Sequence, residues 1–144
     1  MKDEIAAMQM SPYLNFKGEC EAAFKFYERC LGARLGQLFR YAGSPMAGDV
    51  PPEFQEKIMH GSVTVGDQAL MGADVVPERY EVPGGFSLSL QIRSADEAER
   101  VFGALAEGGK IVMPLAKTFW AERFGVLVDR FGIRWIINCE AAGA

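Results

Sequence analysis

The 144 residues predict an α+β fold made of two βαβββ modules, one over about residues 10–74 and the other over about 85–140. Three observations point there. The order strand, helix, three strands runs twice along the chain. Similar residues recur at one spacing: Ala22 and Ala98, Phe26 and Phe102, and Gly32 and Gly108 are each 76 positions apart. A joint containing Gly and Pro (DVVPERYEVPGG, 74–85) separates the halves.

The first half opens with PYLNF (12–16), read as a short strand. Ala23, Phe26, Tyr27, Cys30 and Leu31 then recur at helical spacing, and Gly32 stands at the stop position, which predicts a helix over about 19–31. RLGQLFRY (34–41) reads as a second strand. AGSPMAGDVPP (42–52) is rich in Gly and Pro and reads as a loop, and the segment 42–56 is expected to be among the most mobile. IMHGSVTV (58–65) and QALMG (68–72) flank Gly66-Asp67, a two-residue hairpin turn with glycine first.

The second half repeats the scheme. FSLSLQI (86–92) alternates as a half-buried strand does. Ser94-Ala95-Asp96-Glu97 is a capping box, in which Ser94 bonds the amide of Glu97 and Glu97 reaches back. It starts a helix over about 95–107, with Ala98, Val101, Phe102 and Leu105 on one face and Gly108-Gly109 at its end. KIVMPL (110–115) is a strand holding Pro114, so an edge or bulged one. FGVLV (124–128) and RWIIN (134–138) are the last two strands. Neither half has helix enough to cover both faces of its sheet. Mixed, curved sheets are therefore expected to leave one face lining a cavity, a common setting for small-molecule sites.

Half of the residues are apolar and a quarter are charged, the balance of a globular domain. The net charge of −4 argues against nucleic acid as a partner, because such proteins carry a basic footprint. No apolar run approaches the ~18 residues of a spanning helix, so no membrane is expected. MKDEIAAMQM (1–10) has no long apolar stretch behind its lysine, and a cytoplasmic location follows. The three cysteines, Cys20, Cys30 and Cys139, are widely spaced and read as buried thiols rather than a disulfide framework. The single histidine, His60, rules out a zinc site with two histidines from one chain. P-loop, dinucleotide and nucleophile-elbow motifs are absent.

PYLNF-K-G, EAAFKFYERCLGA, HGSVTVGDQALMGAD and TFWAERFGVLVDRFGIRWIIN together resemble the PhnB-like branch of the vicinal oxygen chelate superfamily, over about residues 10–140. That superfamily holds glyoxalase I, bleomycin- and fosfomycin-resistance proteins and extradiol dioxygenases, and the branch often carries the label 3-demethylubiquinone 3-methyltransferase-like. The resemblance implies a glyoxalase/bleomycin-resistance-like fold, a ligand cavity and a homodimer. A methyltransferase would need a strand, Gly-rich loop and helix to hold S-adenosylmethionine, and the residues supply none.

Enzymes of the superfamily hold a divalent metal with His, Gln or Glu at set strand positions. Carried over, those positions fall at Pro12 or Tyr13, at Met71 or Gly72, at Phe86 or Ser87, and at Ile136. None is a good ligand. No family-type metal and no other cofactor are expected. His60 lies elsewhere, and a pairing with Glu122 or Asp74 is the one alternative.

Candidate pocket residues are Tyr13, Asn15, His60, Phe119, Trp120, Glu122, Arg123 and Arg134. Tyr13 and Asn15 share one face of the first strand. Phe119 and Trp120 offer apolar area beside Glu122 and Arg123, as a cavity rim or as a corner that staples two strands. Arg123 and Arg134 together would suit an anion, if they are not simply surface residues. Met46, Met59, Met71 and Met113 are pocket or core filler. Three functions stay open: a small-molecule-binding protein without the metal, a metal-dependent lyase, isomerase or resistance enzyme with displaced ligands, and a dimeric interaction module.

Overall fold

The structure is a computed structural model and describes residues 7–141. The reading of the N-terminal ten residues as lacking a leader rests partly on residues 1–6, which lie outside that range. The chain divides into two compact units, Met1–Tyr80 and Glu81–Ala144.

In the first unit, β1 (Tyr13–Phe16) leads into α1 (Cys20–Leu31), followed by β2 (Arg34–Leu35), β3 (Phe39–Arg40), β4 (Ile58–Val65) and β5 (Gln68–Asp74). The sheet runs β1-β5-β4-β2, and β3 also pairs with β4. β1 lies parallel to β5 and the other pairs are antiparallel. The helix forms because Ala23, Phe26, Tyr27 and Cys30 bury one stripe. Fully burying each aromatic of that stripe contributes about 2–3 kcal/mol. Gly32, at φ +66°, ends the helix in the left-handed conformation.

Helix α1 has no side-chain cap of its own. Asp74, at the end of β5 and 1% exposed, supplies the acceptor instead. Its Oδ1 takes the backbone N–H groups of Gly18 and Cys20, both at 2.9 Å, and its Oδ2 takes that of Ile58 at 2.9 Å. One carboxylate thereby joins the start of α1, the start of β4 and the end of β5.

The strand expected over 34–41 is two short pieces. Gly36 lies so close to β4 that a Cβ there would stand 2.5 Å from Ser62 Oγ, and its N–H reaches Ser62 O at 2.8 Å. The chain then leaves the ladder and rejoins it at Phe39. The 42–52 loop contains 3-10 turns at Ala47–Asp49 and, running past its end, at Pro52–Phe54. The side-chain amide of Gln55 ties it down, donating to Ala47 O at 2.8 Å and Val50 O at 3.2 Å.

In the second unit, β6 (Leu88–Gln91) leads into α2 (Ala95–Ala106), then β7 (Lys110–Ala116), β8 (Ala121–Val128) and β9 (Arg134–Glu140). The order β6-β9-β8-β7 is that of the first sheet, with β6 and β9 parallel. Pro114 sits on the edge strand β7, whose register slips twice, as expected. The capping box is half made. Ser94 Oγ accepts from Glu97 N at 2.9 Å, but the Glu97 carboxylate turns forward to Arg100 instead of back. Asp129, 3% exposed, is a second buried staple. It accepts from Phe131 N at 2.8 Å, Ile133 N at 3.1 Å and Trp135 Nε1 at 2.9 Å.

The repeat is real, but its spacing is 75 and not 76. β1 and β6 start 75 residues apart, and so do the two helices. The buried set Ala23, Phe26, Tyr27, Cys30 recurs as Ala98, Val101, Phe102, Leu105. Ala22, which the 76-residue spacing matches to Ala98, is exposed. The extra residue enters at the helix ends, where Gly32 follows α1 at once while Glu107 stands between α2 and Gly108.

Candidate functional site

Each sheet has one face under its helix and one face free of it, and glycines mark the covered side. Gly61 and Gly72 are partners on one rung of the first sheet. A Cβ on Gly72 would stand 2.9 Å from Phe24 Cζ, and one on Gly61 3.6 Å from Phe24 Cδ2. Side chains alternate along a strand, so Tyr13, Asn15, Met71, Ser62 and His60 belong to the opposite, helix-free face.

That face brings three of the sequence-predicted residues to one place. Tyr13 and Asn15 are exposed on β1, and His60 is half-buried on β4. The Tyr13 hydroxyl lies 3.0 Å from His60 Nδ1, and the two rings stack with centroids 5.7 Å apart and planes 29° apart. Phe39 stands on the other flank, 6.4 Å from the imidazole and 31° to it. Burial raises the pKa of the Tyr13 phenol, and the charges that Cys20 and Tyr41 would carry add to the shift. Tyr13 therefore keeps its proton at neutral pH.

Phe39 was missed in the sequence because the break at Gly36 shifts the alternation beyond it. Only the observed register, Phe39 opposite His60, places it here.

In the second unit, Gly125 is the covered position. A Cβ there would meet Phe102 Cε2 at 2.7 Å. Its rung partner Ile137 shares that side, so Phe124, Asn138, Ile136 and Arg134 take the helix-free one. Phe119, Trp120 and Phe124 form a contiguous cluster, with ring centroids 4.7 and 5.3 Å apart. Phe119 is 95% exposed and Trp120 48%. Glu122 falls in the bulge between Ala121 and Arg123, within 4.0 Å of Lys117 Nζ. Arg123 pairs with Cys139 on the covered side, where its Nε bonds Glu99 at 3.0 Å. Arg134 stands on the other face, so the two arginines do not converge on one anion.

The sequence also gave no sign of an amide chain on this face. Asn138 Nδ2 donates to Gln91 Oε1 at 2.7 Å, and Gln91 Nε2 to Ser89 Oγ at 3.3 Å. Asn138 Oδ1 is buried with no partner among the described residues.

Each unit also has a cleft. One of about 580 Å³ lies between Met46–Pro51 and Val75–Arg79, and one of about 390 Å³ lies beside Gln91, Arg93 and Glu140.

The positions that the resemblance carries over for a metal, Pro12 or Tyr13, Met71 or Gly72, Phe86 or Ser87, and Ile136, bring no imidazole and no carboxylate. That donor set does not fit a divalent cation. Among the described residues, no three His, Cys, Asp or Glu side chains gather as a metal site. His60 has aromatic neighbours, and the Asp74 carboxylate is taken by three amides.

Two βαβββ sheets of this order are the fold of glyoxalase/bleomycin resistance/dioxygenase proteins. A family enzyme of that description from Burkholderia phytofirmans PsJN shares the fold, with a TM-score of 0.64 at 14% identity over 91% of this chain and 97% of that one. More specifically, the chain belongs to the 3-demethylubiquinone-9 3-methyltransferase family, whose model matches residues 8–138. It is similar to protein PA1353 of Pseudomonas aeruginosa, with a TM-score of 0.84 and 46% identity over 93% of this chain and 98% of that one. It is also similar to a PhnB protein from Bacillus cereus, with a TM-score of 0.78 and 25% identity over 92% and 99%. No helix among the described residues is long and apolar enough to cross a membrane.

Proposed function

We propose that the protein binds a small molecule on the helix-free face of its first sheet, without a family-type metal, as a cytoplasmic homodimer. The observation that carries this reading is the Tyr13–His60 pair, a polar centre flanked by aromatic rings. Tyr13 anchors the imidazole, Phe39 walls it, and Asn15 stands beside them as a further donor and acceptor.

Methyl transfer, which the family's name describes, finds no support in the local chemistry. A cofactor carboxylate or phosphate is commonly held by free backbone amides at a strand-to-helix turn. In the first unit the amides of Gly18 and Cys20 are already bonded to Asp74. In the second, the amide of Glu97 is bonded to Ser94.

The homodimer rests on exposed apolar side chains. Ile111, Val112 and Met113 on β7 are about half exposed, as is Trp120, and Phe119 is almost wholly exposed. A two-fold interface there would bury more than ~1,000 Å². Sedimentation equilibrium is expected to give twice the chain mass at micromolar concentration.

Native mass spectrometry of the protein as expressed, with elemental analysis of the same sample, tests the binding reading. The expected result is a co-purifying or screened organic ligand lost in His60→Ala, with no stoichiometric transition metal. One equivalent of metal per chain would favour the metal-dependent enzyme instead.

A further inference from the structure

Resting on the reading of the first sheet as a ligand site, we infer that Tyr13 is a positioning residue that commits His60 Nε2 to donating a hydrogen bond, so that the site takes planar aromatic molecules bearing an oxygen acceptor. A neutral imidazole carries one proton, on either ring nitrogen, and the hydrogen bond made by one nitrogen decides the role of the other. Here Nδ1 is engaged by the Tyr13 hydroxyl at 3.0 Å. That hydroxyl keeps its own proton, because burial holds its pKa above the ordinary phenol value. An imidazole nitrogen is a much stronger base, and so a better acceptor, than a phenol oxygen. Across this 3.0 Å contact the phenol therefore donates, Nδ1 accepts, and the imidazole proton resides on Nε2.

Nε2 has no hydrogen-bond partner among the described residues. The donor it carries survives protonation of the ring, since an imidazolium holds a proton on both nitrogens and the Tyr13 oxygen can turn to accept. His60 thus offers a donor in either state and never an acceptor at Nε2. Ligands whose polar end only donates, such as ammonium groups, meet N–H against N–H.

The stack fixes the shape of the ligand. Tyr13, His60 and Phe39 lie within about 30° of one another in successive pairs, at 29° and 31°. Aromatic surface on both flanks of the imidazole suits a flat ring, by offset-stacked or edge contact. An aryl carboxylate meets both demands, because its ring packs on the flanking aromatics while its oxygens reach Nε2.

The chain's single histidine makes this measurable. In long-range ¹H–¹⁵N spectra of untagged, ¹⁵N-labelled protein, the neutral imidazole is expected to show only the Nε2–H tautomer. Tyr13→Phe should bring in the Nδ1–H form. Benzoate should shift the Nε2 resonance saturably and bind at least tenfold more tightly than benzylamine, an advantage that Tyr13→Phe reduces. An Nδ1–H tautomer in the wild-type protein would overturn the inference whatever binds, as would a preference for benzylamine. Saturable binding of neither probe, with the Nε2–H tautomer in place, would instead count against the first sheet as a ligand site. The tautomer of the wild-type protein decides the positioning role even if Tyr13→Phe does not fold.

Discussion

Oδ1 of Asp74 accepts the backbone N–H of Cys20 at 2.9 Å, across 54 residues of chain. The same carboxylate holds Gly18 and Ile58, so the last residue of β5 does the work that a capping side chain does at most helix starts. Removing it strands three backbone donors in a buried place. Asp74→Ala is expected to destabilise the fold by about 3–5 kcal/mol, since each buried donor left unpaired costs about 1–3 kcal/mol and some regain water. Urea denaturation checks this, with the midpoint falling at unchanged slope.

Alkaline pH should weaken the fold. The Cys20 thiol is pushed well above its ordinary pKa, by burial first and then by the charges of Asp74 and Glu21. Tyr13 and Tyr41 are raised too, by burial above all. Groups raised in the folded state hold protons that the unfolded chain releases. Their contribution is whole below the unfolded pKa values, ~8.5 for Cys and ~10 for Tyr, and is lost as pH rises beyond them. Stability is expected to fall from about pH 9 upward. Cys20→Ala should flatten the first part of that slope in melting curves taken between neutral and alkaline pH.

The glycine rung of the first sheet admits nothing larger. At Gly72 a Cβ would sit 2.7 Å from Leu14 O as well as against Phe24, and backbone cannot swing aside. Gly72→Ala should cost about 1–3 kcal/mol by overpacking. Gly48, which has open space around it, is the control, and Gly48→Ala should leave the thermal midpoint within a degree or two.

The two tryptophans report on opposite environments. Trp135 is 2% exposed and bonded to Asp129, while Trp120 is 48% exposed beside Phe119. Trp120→Phe should leave blue emission shielded from acrylamide. Trp135→Phe should leave red, quenchable emission. It should also lose about 2–4 kcal/mol of stability, because the buried Asp129 carboxylate loses the indole hydrogen bond. A dimer that covers Trp120 would shift its emission blue on concentration.

Much of the architecture was legible in the residues. Both helices fall within a residue or two of their expected bounds, since the apolar stripes at 23–31 and 98–105 and the glycines behind them leave little choice. Pro114 marked the edge strand, and Gly66-Asp67 marked the hairpin. What escaped depended on contacts distant in sequence. The break after Leu35 follows from the approach of Gly36 to Ser62. The 75-residue repeat was blurred by one residue at the helix ends. Tyr13, Asn15 and His60 could be named as polar groups on strands, but only the parallel pairing of β1 with β5 brings the first two near the third. Nothing local distinguished Arg123 from Arg134, and the bulge at Glu122 sets the face that Arg123 takes.

The edge strand β7 bears on solubility. A flat, regular edge is a template on which further chains add strand by strand into fibrils. This edge carries Ile111, Val112 and Met113, side chains of the kind that drive such growth, but its main chain is unsuited to it. Pro114 has no N–H to donate, and the register slips between Ile111 and Met113 and again between Met113 and Ala116. A neighbouring copy can therefore meet β7 through side chains without zippering onto it, which lets an apolar contact surface exist at an open sheet edge while blocking endless growth. Replacing Pro114 with valine would restore a donor and a strand-forming residue, turning a finite contact into a seed for aggregation.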